Sequence, residues 1–128
     1  MKDLTRILMV EDEPDIQAVA QIALEAVGGL QVEMCSSGRE ALDRVSSVAP
    51  DLVLMDVMMP GMDGPSTLQA LRANPATANY PVIFMTAKVQ SHEVSRYIGL
   101  GALGVIAKPF DPMVLASTVR SIWEKAHV

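Results

Sequence analysis

Along the chain, short runs of consecutive apolar residues alternate with stretches whose apolar positions recur every three or four residues. The continuous runs are Ile7-Leu8-Met9-Val10, Leu52-Val53-Leu54-Met55, Val82-Ile83-Phe84-Met85 and Val105-Ile106-Ala107. Unbroken runs of this length suit strands covered on both faces, as in a parallel sheet. Leu30-Gln31-Val32-Glu33-Met34 alternates instead, which predicts a less covered strand near a sheet edge.

The intervening stretches have helical spacing. Ile16, Val19, Ala20, Ala23, Leu24 and Val27 predict one face of a first helix. Pro14 presets φ in its first turn, Glu13 and Asp15 sit at the positive end of its dipole, and Gly28-Gly29 end it. Ser37-Gly38-Arg39-Glu40 has the capping-box pattern ahead of Ala41, Leu42, Val45 and Val48. A third helix follows Gly64-Pro65, with Leu68 and Leu71 inward and Asn74-Pro75 as its stop. A fourth spans about Ser91 to Ile98, with Val94, Tyr97 and Ile98 inward. Asp111-Pro112 predicts N-cap and first turn of a last helix whose core face is Leu115, Thr118, Val119 and Ile122. Strand and helix thus alternate five times, which predicts an α/β fold: a doubly wound five-stranded parallel sheet with helices on both faces.

Composition narrows the function classes. At 128 residues, half of them hydrophobic, the chain fits a single domain over 1–128 with no room for an output domain. Ten basic residues against fifteen acidic ones, a net charge of −5, argue against a nucleic-acid footprint, so no nucleic-acid partner is expected. The segment Met1-Lys2-Asp3-Leu4-Thr5-Arg6 leads into only four apolar residues, too few for a signal-peptide core. No run approaches the roughly 18 apolar residues of a spanning helix, so the expectation is a cytoplasmic domain without membrane contact. The lone Cys35 has no partner for an internal disulfide and reads as a small buried hydrophobe.

The chemistry gathers at the strand ends, where open α/β sheets bind their ligands. The first strand runs into Glu11-Asp12, the third into Asp56, the fourth into Thr86 and the fifth into Lys108. Taken singly, each has a bland reading: acids favour a helix start, Asp56 can form a turn, and a lysine is usually solvated. Brought to one rim, two or three carboxylates repel strongly, so that one is forced to stay protonated or a cation neutralises them. Lys108 supplies one positive charge; a hard divalent ion such as Mg²⁺ suits the remaining oxygen ligands, and a metal held this way commonly also holds a phosphate.

Four segments then carry a specific resemblance. Ile7-Leu8-Met9-Val10-Glu11-Asp12-Glu13-Pro14, the stretch from Asp51 through Asp56 to Met62-Asp63-Gly64, Met85-Thr86-Ala87 and Lys108-Pro109-Phe110 together resemble the receiver domain of two-component response regulators, from about Thr5 to Lys125. The resemblance implies the flavodoxin-like (βα)5 receiver fold with strand order 2-1-3-4-5, here as a stand-alone, chemotaxis-regulator-like type. It implies Asp56 as the phosphoacceptor, modified by a sensor histidine kinase or a histidine phosphotransfer protein. It further implies Mg²⁺ on Asp12, Asp56 and the Met58 backbone carbonyl, with Glu11 acting through water. Lys108 and Thr86 would contact the phosphoryl oxygens, a downstream protein target of unknown identity would read the output, and Lys108-Pro109 would be a cis peptide.

One position departs from the pattern. The family usually carries Tyr or Phe three residues before the strand-5 lysine, and here Val105 stands there, which puts the usual threonine–aromatic switch in question. Three other readings stay open at this point. A phosphatase working through an aspartyl-phosphate wants a second Asp where Met58 stands, a flavin or nucleotide binder wants a glycine-rich loop after the first strand, and a receiver-like module could remain unphosphorylated.

Overall fold

The computed structural model describes residues 3–127; Met1 and Lys2 of the N-terminal segment, and Val128, lie outside the described residues. The elements follow in the order β1 (Arg6–Val10), α1 (Pro14–Ile22), a π-helical turn (Ala23–Val27), β2 (Gln31–Cys35), α2 (Gly38–Val48), β3 (Leu52–Asp56), α3 (Gly64–Ala73), β4 (Val82–Thr86), α4 (Ser91–Gly99), β5 (Gly104–Ala107) and α5 (Leu115–Ala126). All strand pairs are parallel, and the sheet order is β2-β1-β3-β4-β5. This is the doubly wound α/β sheet that the alternation predicts.

The unbroken apolar runs are explained by two cores, one on each face. Ile7 and Met9 of β1, Leu52 and Leu54 of β3, and Ile83 and Met85 of β4 pack with Ala20 and Leu24 from the α1 side and with Leu115, Val119 and Trp123 of α5. The alternate residues Leu8, Val10, Val53, Met55, Val82 and Phe84 pack with Ala41 and Val45 of α2, Leu68 and Leu71 of α3 and Tyr97 of α4. Side chains of a strand point alternately to opposite faces, so a strand buried on both must be apolar at every position. β2 lies at the sheet edge, and its Gln31 and Glu33 are exposed, as its alternating pattern predicts.

Three local readings need correction. The first helix does not keep its period: the Gly28 N–H donates to the Ala23 carbonyl at 3.1 Å, five residues back, so a π turn inserts extra chain before the end. An i→i+5 turn shifts the helical phase, and Val27, expected inward, is exposed, as is Val19 at the margin of the stripe. In α4 the buried aromatic is Tyr97, set edge-to-face against Phe84 at 5.3 Å, and Ile98 faces outward. The last helix starts one turn later than Asp111-Pro112 suggests. Asp111 instead holds a turn, its carboxylate accepting the Met113 N–H at 2.9 Å and its carbonyl accepting those of Val114 and Leu115 at 3.0 Å. Elsewhere the capping signals hold. Ser37 Oγ accepts the Glu40 N–H at 3.1 Å, while the Glu40 carboxylate takes the N–H of Ser36, one residue earlier than the usual reciprocal bond. Lys108-Pro109 is cis, as the resemblance implies.

At the start of α3 the backbone is crowded. A Cβ on Gly64 would lie 2.7 Å from the Asp56 carbonyl oxygen and 3.0 Å from both Val57 Cα and Phe84 Cε1. Because the nearest of these atoms are backbone, Gly64→Ala should lower stability by roughly 1–3 kcal/mol, the scale of overpacking; an unchanged urea midpoint would contradict this close approach.

Cys35 is fully buried, and burial pushes its thiol up from 9.0 to about 11 although Arg44 nearby opposes the shift. The native chain should therefore resist thiol alkylation at neutral pH and react promptly only in denaturant. Because the folded value is the higher one, this thiol's contribution to stability is intact below about 9 and is lost as pH rises through about 11. That part of the alkaline decline should vanish in Cys35→Ala, and rapid labelling of native protein at pH 7 would contradict the burial.

Candidate functional site

From β1 the chain crosses to β2 on one side, while β3 lies on the other side of β1. The helices that follow β1 and β3 therefore cover opposite faces and leave a crevice at the carboxyl ends of these two strands. Glu11 and Asp12 leave β1 at this crevice, and Asp56 ends β3 beside them. Glu11 extends the ladder, its N–H donating to the Cys35 carbonyl at 3.0 Å. Pro14 then starts α1 and turns the chain away, so both acids are held at the rim.

Glu11, Asp12 and Asp56 each place a carboxylate oxygen within 4.8 Å of the others. Glu11 is wholly buried and Asp56 is buried. Lys108, delivered by β5, reaches across with its Nζ 3.0 Å from Glu11 Oε1 and 3.2 Å from Asp56 Oδ2. The other Glu11 oxygen accepts the Glu13 N–H at 3.1 Å. Burial raises the Glu11 pKa and the charge of Asp56 adds to this, against the lowering effect of the Glu13 and Lys108 bonds. For Lys108 burial acts downward, but its bond to Glu11 and the charges of Asp56 and Glu11 outweigh it, so its pKa is raised and the ammonium stays charged.

The donor set fits a cation. Asp12 Oδ1 is buried with no hydrogen-bond partner, and a buried polar atom left unpaired is costly. The cluster offers carboxylate oxygens alone and carries three negative charges against one ammonium. A hard divalent ion with oxygen preference satisfies both the charge and the unpaired atom.

The other two sequence-derived positions flank this group. Thr86 is buried at the end of β4, where its hydroxyl oxygen accepts the Lys88 N–H at 3.1 Å and its carbonyl accepts the Lys108 N–H at 2.9 Å. Met58 lies in the loop after β3 with its side chain 68% exposed. Val105 is half-buried on the same face as Tyr97, so the buried aromatics on this side come from β4 (Phe84) and α4 (Tyr97) and not from β5. Residues that the hydrophobic pattern did not single out also serve the rim. Gln17 of α1 donates to the Glu11 carbonyl and, at 3.1 Å, to Ser36 Oγ. A glutamine between Ile16 and Ala18 gives no signal of its own, since it reads as a solvated helix position.

Comparison with known proteins agrees with this geometry. The family model described as the response regulator receiver domain matches residues 7–120. The chain is 34% identical over 122 residues to Response regulator Rre1 of Synechocystis sp., an alignment covering 95% of this chain and 53% of that protein. It is 35% identical over 116 residues to the DNA-binding response regulator MtrA of Mycolicibacterium smegmatis, covering 91% of this chain and 49% of that one. Among solved structures, the chemotaxis response regulator CheY4 of Vibrio cholerae superimposes with a TM-score of 0.84 at 28% identity, covering 93% of this chain and 98% of that chain.

The chain spans about half the length of the curated relatives it matches. This corrects the expectation that nucleic acid is no partner, because MtrA is a DNA-binding response regulator. The acidic balance describes the surface of these 128 residues, and a charge count over half the length of such a relative excludes nothing about the whole. Among the described residues no helix is long and apolar enough to cross a membrane. The family match, the sheet order and the acidic crevice agree, and the chain belongs to the response regulator receiver domain family, a signalling domain of two-component systems.

Proposed function

We propose that this domain accepts a phosphoryl group on Asp56 from a phosphohistidine of a sensor histidine kinase, in a Mg²⁺-dependent reaction. The observation that carries the reading is the convergence of Glu11, Asp12 and Asp56 within 4.8 Å, bridged by Lys108. A carboxylate oxygen of Asp56 attacks phosphorus, the phosphorus–nitrogen bond breaks, and the donor imidazole keeps the electron pair. Asp12 and Asp56 would be the direct carboxylate ligands of the ion, with the Met58 carbonyl as the third protein ligand and Glu11 acting through water. When bound, the ion supplies charge neutralisation for the phosphoryl oxygens.

Lys108 offers a fixed ammonium on the opposite side of the crevice, already oriented by Glu11 and Asp56, and preorganised charge of this kind is what assists phosphoryl transfer. Thr86 would donate its hydroxyl proton to a phosphoryl oxygen; a lone pair of the same oxygen already accepts the Lys88 N–H, so this hydroxyl would link the modified Asp56 to the loop leading into α4. The altered loop is then the surface that a partner reads, or the phosphoryl group passes onward. A dehalogenase-type phosphatase reading has little support, since the position two residues after Asp56 carries an exposed methionine and no second carboxyl.

Incubation with Mg²⁺ and a small phosphodonor, followed by intact mass measurement, tests the reading. The expected result is a gain of one phosphoryl group that is absent in Asp56→Asn and absent when Mg²⁺ is chelated. Persistence of the adduct in Asp56→Asn, or rapid multiple turnover of phosphate esters without an adduct, would overturn it.

A further inference from the structure

Asp12 is the acid of the cluster whose Oδ1 has no hydrogen-bond partner, so no bond to that oxygen fixes its direction. The Glu11–Asp12 peptide sets where that side chain leaves the backbone. On one side that peptide is tied to the sheet, because the Glu11 N–H donates to the Cys35 carbonyl. β2 ends at Cys35, and the Glu11 carbonyl oxygen takes its hydrogen bond from a side chain, the Gln17 amide.

Gln17 is well placed to hold that carbonyl. Its backbone N–H donates to the Glu13 carbonyl at 3.0 Å, which fixes its Cα in the first turns of α1. Its amide nitrogen donates both to the Glu11 carbonyl and to Ser36 Oγ at 3.1 Å. Ser36 is held in turn, its N–H donating to Glu40 Oε1 at 2.7 Å, and the other Glu40 oxygen accepts from Arg44 Nη1 at 3.3 Å. A short chain of bonds therefore runs from the corner after β1, through Gln17, to the start of α2. Outer groups that orient metal ligands typically change metal affinity by about 10–100-fold when removed.

We infer that Gln17 is a positioning residue for the cation site: by holding the Glu11 carbonyl it fixes the Glu11–Asp12 peptide and so aims the unpaired Asp12 carboxylate at the ion. The inference rests on the reading of Asp12 as a metal ligand given above. Gln17 itself touches neither ion nor phosphoryl group.

Titration of the apoprotein with Mn²⁺, read by the electron paramagnetic resonance of free ion, tests this without recourse to phosphorylation. Wild type should bind Mn²⁺ and Asp12→Asn should lose that binding. Gln17→Met keeps the side-chain length and removes both donors, and should weaken Mn²⁺ binding about 10-fold. Gln17→Asn keeps the amide but falls one methylene short, and should behave alike, which answers the case in which Gln17→Met does not fold. Ser36→Ala leaves the Glu11 bond in place and should have a smaller effect. Thermal unfolding of each apoprotein separates positioning from simple stability. A lowered unfolding midpoint with Mn²⁺ affinity equal to wild type would make Gln17 a mere tie between helix and strand and overturn the inference. Failure of wild type to bind Mn²⁺ would instead sink the metal reading itself, and this inference with it.

Discussion

Two like charges 4 Å apart in partly screened surroundings repel by about 4 kcal/mol, and the crevice at the end of this sheet holds three carboxylates against one ammonium. The carboxylates cannot relieve this by moving apart. β1 and β3 are hydrogen-bonded neighbours, and both are clamped between apolar cores on the two faces of the sheet. Nor can the next turn yield, because the α3 start at Gly64 sits directly against the Asp56 carbonyl. The apolar sheet is thus what maintains a charge excess at its rim, and that excess is the basis for proposing a doubly charged, oxygen-seeking ion there. Lys108 balances part of it through its contacts with Glu11 and Asp56.

Much of this was legible in the sequence because strand burial and strand ends leave direct marks. Leu52-Val53-Leu54-Met55 can be apolar throughout only if both faces are covered, and Asp56 immediately after it must then stand at the rim. Glu11, Asp12 and Lys108 were placed by the same logic, and the structure brings them together with Asp56. What the pattern missed depends on phase and reach rather than hydrophobicity. The π turn at Ala23–Val27 shifts the helical phase without a sequence signal, which is why Val27 faces solvent. The true start of α5 was hidden because Asp111-Pro112 serves equally as a turn or as a cap. Gln17 was silent because its importance lies in a bond to a carbonyl six residues away, which hydropathy does not record.

The substitution at position 105 reshapes the face away from α1. Where the family usually has an aromatic on the fifth strand, Val105 packs only partly, and Tyr97 from α4 is buried against Phe84, with its hydroxyl 3.5 Å from Glu93 and Arg96 above its ring. The aromatic bulk on this face is therefore shared by Phe84 of β4 and Tyr97 of α4, with none from β5. The Thr86–Lys88 bond lies in the loop that leads directly from β4 into α4.

The central claim is that repulsion among Glu11, Asp12 and Asp56 is what creates the demand for a divalent cation, and thermal unfolding of wild type and Asp12→Asn with and without Mg²⁺ tests it most directly. The account predicts that, in chelator, Asp12→Asn unfolds a few degrees above wild type, because one of three crowded charges is gone. It predicts that Mg²⁺ raises the midpoint of wild type in a concentration-dependent way and leaves Asp12→Asn nearly unmoved. A destabilised Asp12→Asn in chelator, or equal stabilisation of both proteins by Mg²⁺, would contradict it.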